Sequence, residues 1–129
     1  MLRNPGGENQ KARKEKNLKL VYSENERDLG NIEDYDEFLE ELANIYEAVS
    51  KKMNSGAFLT VIVKNVKRDH VIYPFGWDIA RILARPNGKF EFVGNTFWCQ
   101  DDIGLKPFAV GTHWVSNVFH QYCLHFKRL

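Results

Sequence analysis

Between Asp28 and Lys64 an acidic amphipathic segment, a Ser-Gly turn and an apolar run follow one another directly, and this order constrains the fold more than any other feature of the chain. Asp34 is a suitable helix N-cap. Glu37 stands in the capping-box position, and Asp36 adds negative charge where the helix dipole favours it. Phe38, Leu42, Ile45, Val49 and Met53 then recur at helical spacing with Tyr46 beside them, which predicts one core-facing stripe. Lys51 and Lys52 suit the last turn, and Asn54-Ser55-Gly56 supplies a left-handed stop. The run Ala57-Phe-Leu-Thr-Val-Ile-Val63 follows after a connection as short as α/β units use. It is almost continuously apolar, the pattern of a strand covered by helices on both sheet faces. The segment therefore reads as half of a parallel βαβ unit. Ligands of open α/β sheets bind beyond the carboxyl ends of the strands, which here means the polar run Lys64-Asn65-Val66-Lys67-Arg68-Asp69-His70. No glycine-rich phosphate or cofactor loop precedes this unit, so the chain reads as the latter part of a larger fold.

The chain of 129 residues holds one domain at most, and 43% hydrophobic residues are enough for a globular core. A formal net charge of +1 conceals an asymmetry: residues 1–19 carry six Lys and Arg against two Glu, whereas Glu24 to Glu41 hold nine acids and one Arg. Residues 1–19 have no apolar period and are expected to be a mobile basic tail, with residues 20–129 forming the α/β domain. No apolar stretch is long enough to cross a membrane and none resembles a signal peptide, so the cytoplasm is the expected compartment. Cys99 and Cys123 read as free thiols in that compartment.

Beyond the polar run, Ile79, Ile82 and Leu83 mark one face of a short second helix that Pro86-Asn87-Gly88 ends. Lys89 to Trp98 alternates, with Phe90, Phe92, Thr96 and Trp98 on one parity, and reads as a strand. A polar loop follows from Gln100 to Gly111. His113 to Lys127 is apolar on both parities and reads as one long, central strand. No helix joins these last two strands, so they are expected to be antiparallel neighbours. The expected architecture is a three-layer α/β fragment with a mixed sheet of three strands. In it Ala57–Val63 runs parallel to Lys89–Trp98, and the terminal strand is inserted antiparallel between them. Leu18 to Tyr22 would add a fourth strand.

Three segments carry a resemblance: the helix beginning Asp28-Leu-Gly-Asn-Ile-Glu-Asp-Tyr-Asp-Glu-Phe-Leu39, the Ser-Gly turn into an apolar strand ending Lys64-Asn-Val-Lys-Arg68, and Trp98-Cys-Gln-Asp-Asp102 followed by Trp114-Val-Ser-Asn-Val-Phe-His-Gln-Tyr-Cys123. Together they resemble the carboxyl-terminal half of the DNA N4-cytosine/N6-adenine methyltransferase family, over about Tyr22 to Arg128. The resemblance implies a partial Rossmann-like methyltransferase fold with a terminal antiparallel strand pair. It also implies S-adenosylmethionine as cofactor, DNA as partner, and methyl transfer to an exocyclic amine of adenine or cytosine. The family's catalytic tetrapeptide, an Asp, Asn or Ser followed by Pro-Pro and an aromatic residue, would precede Tyr22. That region reads Lys16-Asn17-Leu18-Lys19-Leu20, and Pro-Pro occurs nowhere. The Phe-x-Gly-x-Gly cofactor loop is absent too. Without the anchor for the flipped base's amine or a cradle for the methyl donor, the chain alone is expected to be inactive. It would then be a truncated product, a separated half that needs a complementing chain, or a catalytically silent nucleic-acid-binding or partner-docking module. The free edge of Ala57–Val63 makes self-association a further expectation.

Candidate residues for the nucleic-acid or target-base pocket are Lys64, Asn65, Lys67 and Arg68, which leave the apolar strand, with Trp98, Lys106 and Trp114 bordering the last loop. Cations there can meet phosphates and aromatic rings can stack on bases. His70, Phe108 and His113 belong to the same basic-aromatic set. No catalytic residue is assigned. His120, Cys123 and His125 have the spacing of metal ligands, but on a strand His120 faces away from the other two, leaving too few for a structural zinc. Asp101-Asp102 reads as a solvated pair.

Overall fold

The computed structural model describes residues 8–20, 23–25, 27–68, 71–102, 107–110, 113–116 and 118–129, with only the backbone of 8–10, 107–110 and 113–116. Helix α1 (Glu8–Glu15) lies within the basic tail. Its Ala, Lys, Arg, Gln and Glu residues favour helix locally even without an apolar face. Asn17, in the left-handed region at φ 54, closes it. Leu18 to Leu20 is not a strand, and Val21 and Tyr22 lie outside the described residues, so the suggested fourth strand is not found at its described positions.

Helix α2 (Tyr35–Ser50) starts where expected: Asp34 caps it, its Oδ1 accepting from the Glu37 N–H at 2.8 Å. Part of the expected stripe faces the core, since Leu42, Tyr46 and Met53 pack against it and Phe38 meets Phe75 at 5.7 Å between ring centroids, but the most buried positions are shifted from it. Leu39, Ala43 and Ser50 are buried, whereas Ile45 and Val49 are 46% and 38% exposed. Ala43 and Ser50 are small, which permits close packing, and the buried Ser50 hydroxyl donates to the Glu47 carbonyl at 2.6 Å. Arg128 donates through Nε to the Ser50 carbonyl, tying the end of the helix to the end of the sheet.

The central sheet has the order β1 (Phe58–Val63), β7 (His120–Arg128), β4 (Phe90–Cys99). Both neighbours pair antiparallel with β7, so β1 and β4 run in the same direction with the terminal strand between them. This is the expected strand placement. The sheet is nevertheless antiparallel rather than mixed, and β1 is not hydrogen-bonded to a parallel partner. A small hairpin of β2 (Val66–Arg68) and β3 (Val71–Tyr73), followed by helix α3 (Phe75–Leu83), connects β1 to β4. A second hairpin, β5 (Pro107–Val110) with β6 (His113–Ser116), occupies the expected polar loop. The long strand expected from His113 is therefore two strands, because β4 ends at Cys99 opposite His120 and offers β6 nothing to pair with.

One face of this sheet carries the core. Leu59, Val61 and Val63 of β1, Tyr122, Leu124 and Phe126 of β7, and Phe90 and Phe92 of β4 pack under α2 and α3 with Leu39, Ile79 and Leu83. Phe126 and Leu124 are fully buried, and Phe126 touches Phe92 and Phe90 at ring-centroid distances of 5.5 and 6.3 Å. The other face is open: Phe58, Ile62 and Trp98 are 69%, 51% and 55% exposed. The described residues thus form two layers, not three, and the apolar run of β1 is buried on one side only. Along β4 the register shifts between Phe92 and Gly94, a bulge at which Gly94 adopts φ 139. Beyond the bulge the parity reverses. Phe97 joins the core side opposite Tyr122, and Trp98, opposite Gln121, turns to the open face.

Candidate functional site

At one end of the sheet the carboxyl ends of β1 and β4 meet the amino ends of β7 and α3. Tyr122, paired with both Val63 and Phe97, is the hub. Its ring lies 5.4 Å from Trp77, 5.6 Å from Phe97 and 5.1 Å from His120, centroid to centroid. Phe97 also meets His120 edge-on at 5.4 Å, and Phe119 extends the cluster at 6.0 Å from His120. The contacts are tilted or edge-to-face, as aromatic quadrupoles prefer. Tyr122 and His120 are half-buried, while Trp77 is 45% and Phe97 59% exposed. Two large rings therefore flank the hub and remain open to solvent.

Asn65 is the residue that sets α3 in this position. Pro74, at the N-cap, provides no capping side chain, and Asn65 Oδ1 instead accepts from the Gly76 N–H at 3.1 Å. Gly76 lets the helix approach the hub: a Cβ there would lie 2.9 Å from Tyr122 Cδ2. Lys64 is exposed one residue beyond Val63. Lys67 and Arg68 lie in β2. Burial lowers the Lys67 ammonium pKa, and Arg68 Nη1 donates to the Glu33 carbonyl at 3.3 Å.

Of the expected pocket residues, Lys64 and Asn65 thus adjoin the ring cluster, and Lys67 and Arg68 continue from it. Trp98 sits on the opposite sheet face. Lys106 and His70 lie outside the described residues, and Trp114, Phe108 and His113 are described by backbone only, in the second hairpin. Sequence reasoning missed Trp77, Phe97 and Tyr122. The signal for Phe97 was Gly94, since a glycine inside an alternating strand marks a bulge.

Elsewhere, Cys99 and Cys123 are free thiols, as expected. His125 bridges the strands on the open face, with Nδ1 3.0 Å from Thr60 Oγ1 and Nε2 3.1 Å from Thr96 Oγ1, and His120 lies on the other face. No group of three or more metal-ligating residues occurs among the described residues. A cleft of about 590 Å³ between α2 and α3 is lined by Tyr35, Asp36, Glu40, Asp78, Arg81 and Arg85 among others. Tyr35 donates to Asp78 Oδ2 at 2.6 Å, and Arg85 pairs with Glu40 at 3.2 Å, so much of its polar lining is internally satisfied. Burial, and then the Asp78 carboxylate, push the Tyr35 phenol pKa well above its usual value.

A structure from Thermus thermophilus, assigned as a DNA modification methylase, superposes on this chain with a TM-score of 0.58 at 20% identity, covering 76% of this chain. The fold is methyltransferase-like. The chain spans 39% of the length of that structure. No protein-family model and no curated protein matches the sequence. No helix among the described residues is long and apolar enough to cross a membrane.

The methyl-donor site implied by the resemblance would need a glycine-rich loop beside a strand. Gly56 is in the turn before β1, Gly76 is packed on Tyr122, Gly88 is in the turn after α3 and Gly94 is at the bulge. None of these, nor Gly30 in the turn Leu29–Asn31, lies in a glycine-rich loop after a strand.

Proposed function

We propose that this chain is the carboxyl-terminal part of an S-adenosylmethionine-dependent DNA methyltransferase, presenting the aromatic-basic end of its sheet to DNA. The observation that carries this reading is the fold match to a DNA modification methylase over three-quarters of the chain. The ring cluster supports it. Trp77 and Phe97 offer exposed rings for base stacking, and Lys64, Lys67 and Arg68 lie on the segment that leaves the same sheet end. The tetrapeptide and the cofactor loop that would supply methyl transfer are not in this sequence, so catalysis belongs to an assembly that contains them.

That absence favours a second reading, a catalytically silent nucleic-acid-binding module, and one titration separates the two. A fluorescein-labelled single-stranded oligonucleotide is titrated with the chain between about 50 and 200 mM salt. Three phosphate contacts predict a slope of about −2 in log K against log salt. Phe97→Ala and Trp77→Ala should each weaken binding by about tenfold, since stacking is worth roughly 1–3 kcal/mol per base, whereas Trp98→Ala on the opposite face should not. No binding at the lowest salt, or equal effects from all three substitutions, refutes the site. Calorimetric uptake of methyl donor in the presence of a complementing methyltransferase half supports the methyltransferase reading. DNA binding with no donor uptake under that condition leaves the silent module.

A further inference from the structure

Between Lys11 and Lys19 the chain carries five cations and one acid in nine residues. This segment is folded as well as charged. Helix α1 ends in a paired turn around the left-handed Asn17, in which the Leu18 N–H donates to the Arg13 carbonyl at 2.8 Å and the Asn17 N–H to the Lys14 carbonyl at 3.0 Å. Arg13 then ties the chain beyond the turn to the helix, donating through Nε and Nη2 to the Lys19 carbonyl at 3.0 and 2.7 Å. Arg13 is thereby used inside the segment and half-buried, whereas Lys11, Lys14, Lys16 and Lys19 are all exposed and make no ion pair among the described residues. Ala12 is the only apolar residue from 11 to 17, so a further sheet or helix has nothing to pack on here, and burying these ammonium groups would need a partner for each. Without an apolar face, α1 does not suit a membrane surface either. A polyanion meets the charges without burying them.

We propose that Lys11, Lys14, Lys16 and Lys19 hold the phosphate backbone of DNA, as a contact additional to the ring cluster and its three cations. The identity of the polyanion rests on the proposed function, whereas the charges, their exposure and the folded turn do not. Each lysine that neutralises a phosphate releases condensed counterions, so the contact is read as salt dependence and not as sequence preference. The turn fixes the backbone that carries Lys14, Lys16 and Lys19 before DNA arrives, which lowers the ordering cost of binding. The segment's own charges make the contact, whatever precedes them in the chain.

In the single-stranded oligonucleotide titration, four further phosphate contacts steepen the slope of log K against log salt from about −2 to about −5, so affinity should fall about a thousandfold between about 50 and 200 mM salt. Lys11→Gln/Lys14→Gln/Lys16→Gln/Lys19→Gln preserves helix propensity, and should return the slope to about −2 and the fall to about sixteenfold. Arginine at the same four positions should retain the steep slope. Lys51→Gln/Lys52→Gln/Lys89→Gln/Lys127→Gln removes the same charge from other exposed positions and should leave the slope at about −5. Trp77→Ala and Phe97→Ala should lower affinity at unchanged slope, which tells a failure of the ring site from a failure of this contact. A parent slope of about −2 overturns the proposal, and is the result expected if the segment docks instead on the acidic side of α2 in its own chain. A quadruple glutamine variant as steep as the parent, or equal flattening by the control set, overturns it as well. No binding at the lowest salt overturns it together with the ring site.

Discussion

Replacing Gly76 by alanine tests the contact that holds α3 against the ring cluster. Alanine is ordinarily the better helix residue, by roughly 0.5–1 kcal/mol. Here the new Cβ would lie 2.9 Å from Tyr122 Cδ2 and 3.5 Å from Asn65 Oδ1. The ring has little freedom to yield, because Trp77, Phe97 and His120 surround it at 5.1 to 5.6 Å. Overpacking of this kind costs about 1–3 kcal/mol, so the propensity gain offsets only part of it and a net loss of roughly 0.5–2 kcal/mol remains. Urea denaturation followed by circular dichroism should show that loss as a lower midpoint at unchanged slope, and thermal denaturation as a fall of several degrees. In a Tyr122→Leu background the clash is gone and the same substitution should be neutral or stabilising by up to about 1 kcal/mol. The reasoning fails if Gly76→Ala stabilises the otherwise unaltered chain, or if the loss persists in the Tyr122→Leu background.

Asn65→Ala removes the side-chain acceptor for the Gly76 N–H and should cost about 1 kcal/mol in chemical denaturation. Its effect on oligonucleotide affinity should be no greater than that of an equally destabilising core substitution, and a selective loss of affinity would instead make Asn65 a ligand contact. Raising the pH should destabilise the fold through Tyr35. Its folded pKa is raised by burial and by Asp78, so the stabilisation is complete below the unfolded phenol value of about 10 and is lost as the pH climbs above it. Tyr35→Phe should flatten the alkaline limb of a stability-against-pH curve, and an unchanged limb would count against that assignment.

Legibility in the sequence divided along local and non-local lines. The start of α2 could be read because its cap is a contact between residues three apart, Asp34 and Glu37. The core-facing side of α2 could be read only in part: Leu42, Tyr46 and Met53 pack against the core as their spacing implies, whereas the small Ala43 and Ser50 acquire their burial from what lies across the helix. For the candidate site, Lys64 and Asn65 were legible from their place after β1. The role of Asn65 was not, since its partner is eleven residues away on α3.

The sequence by itself determined where α2, β1 and α3 form, since capping, helical spacing and β-branched runs act over a few residues. It also carried the order of the central sheet, because the apolar terminal strand needs a neighbour on each side. Tertiary structure alone decided that, among the described residues, Phe58 and Ile62 are exposed while Leu59 and Val61 pack in the core, that the bulge at Gly94 turns Phe97 inward and Trp98 outward, and that Tyr122 gathers Trp77 and His120 around it. The physical reason is that an alternating pattern states which residues share a face, while burial depends on whether another element covers that face. A one-residue shift of register then moves every later side chain to the other side.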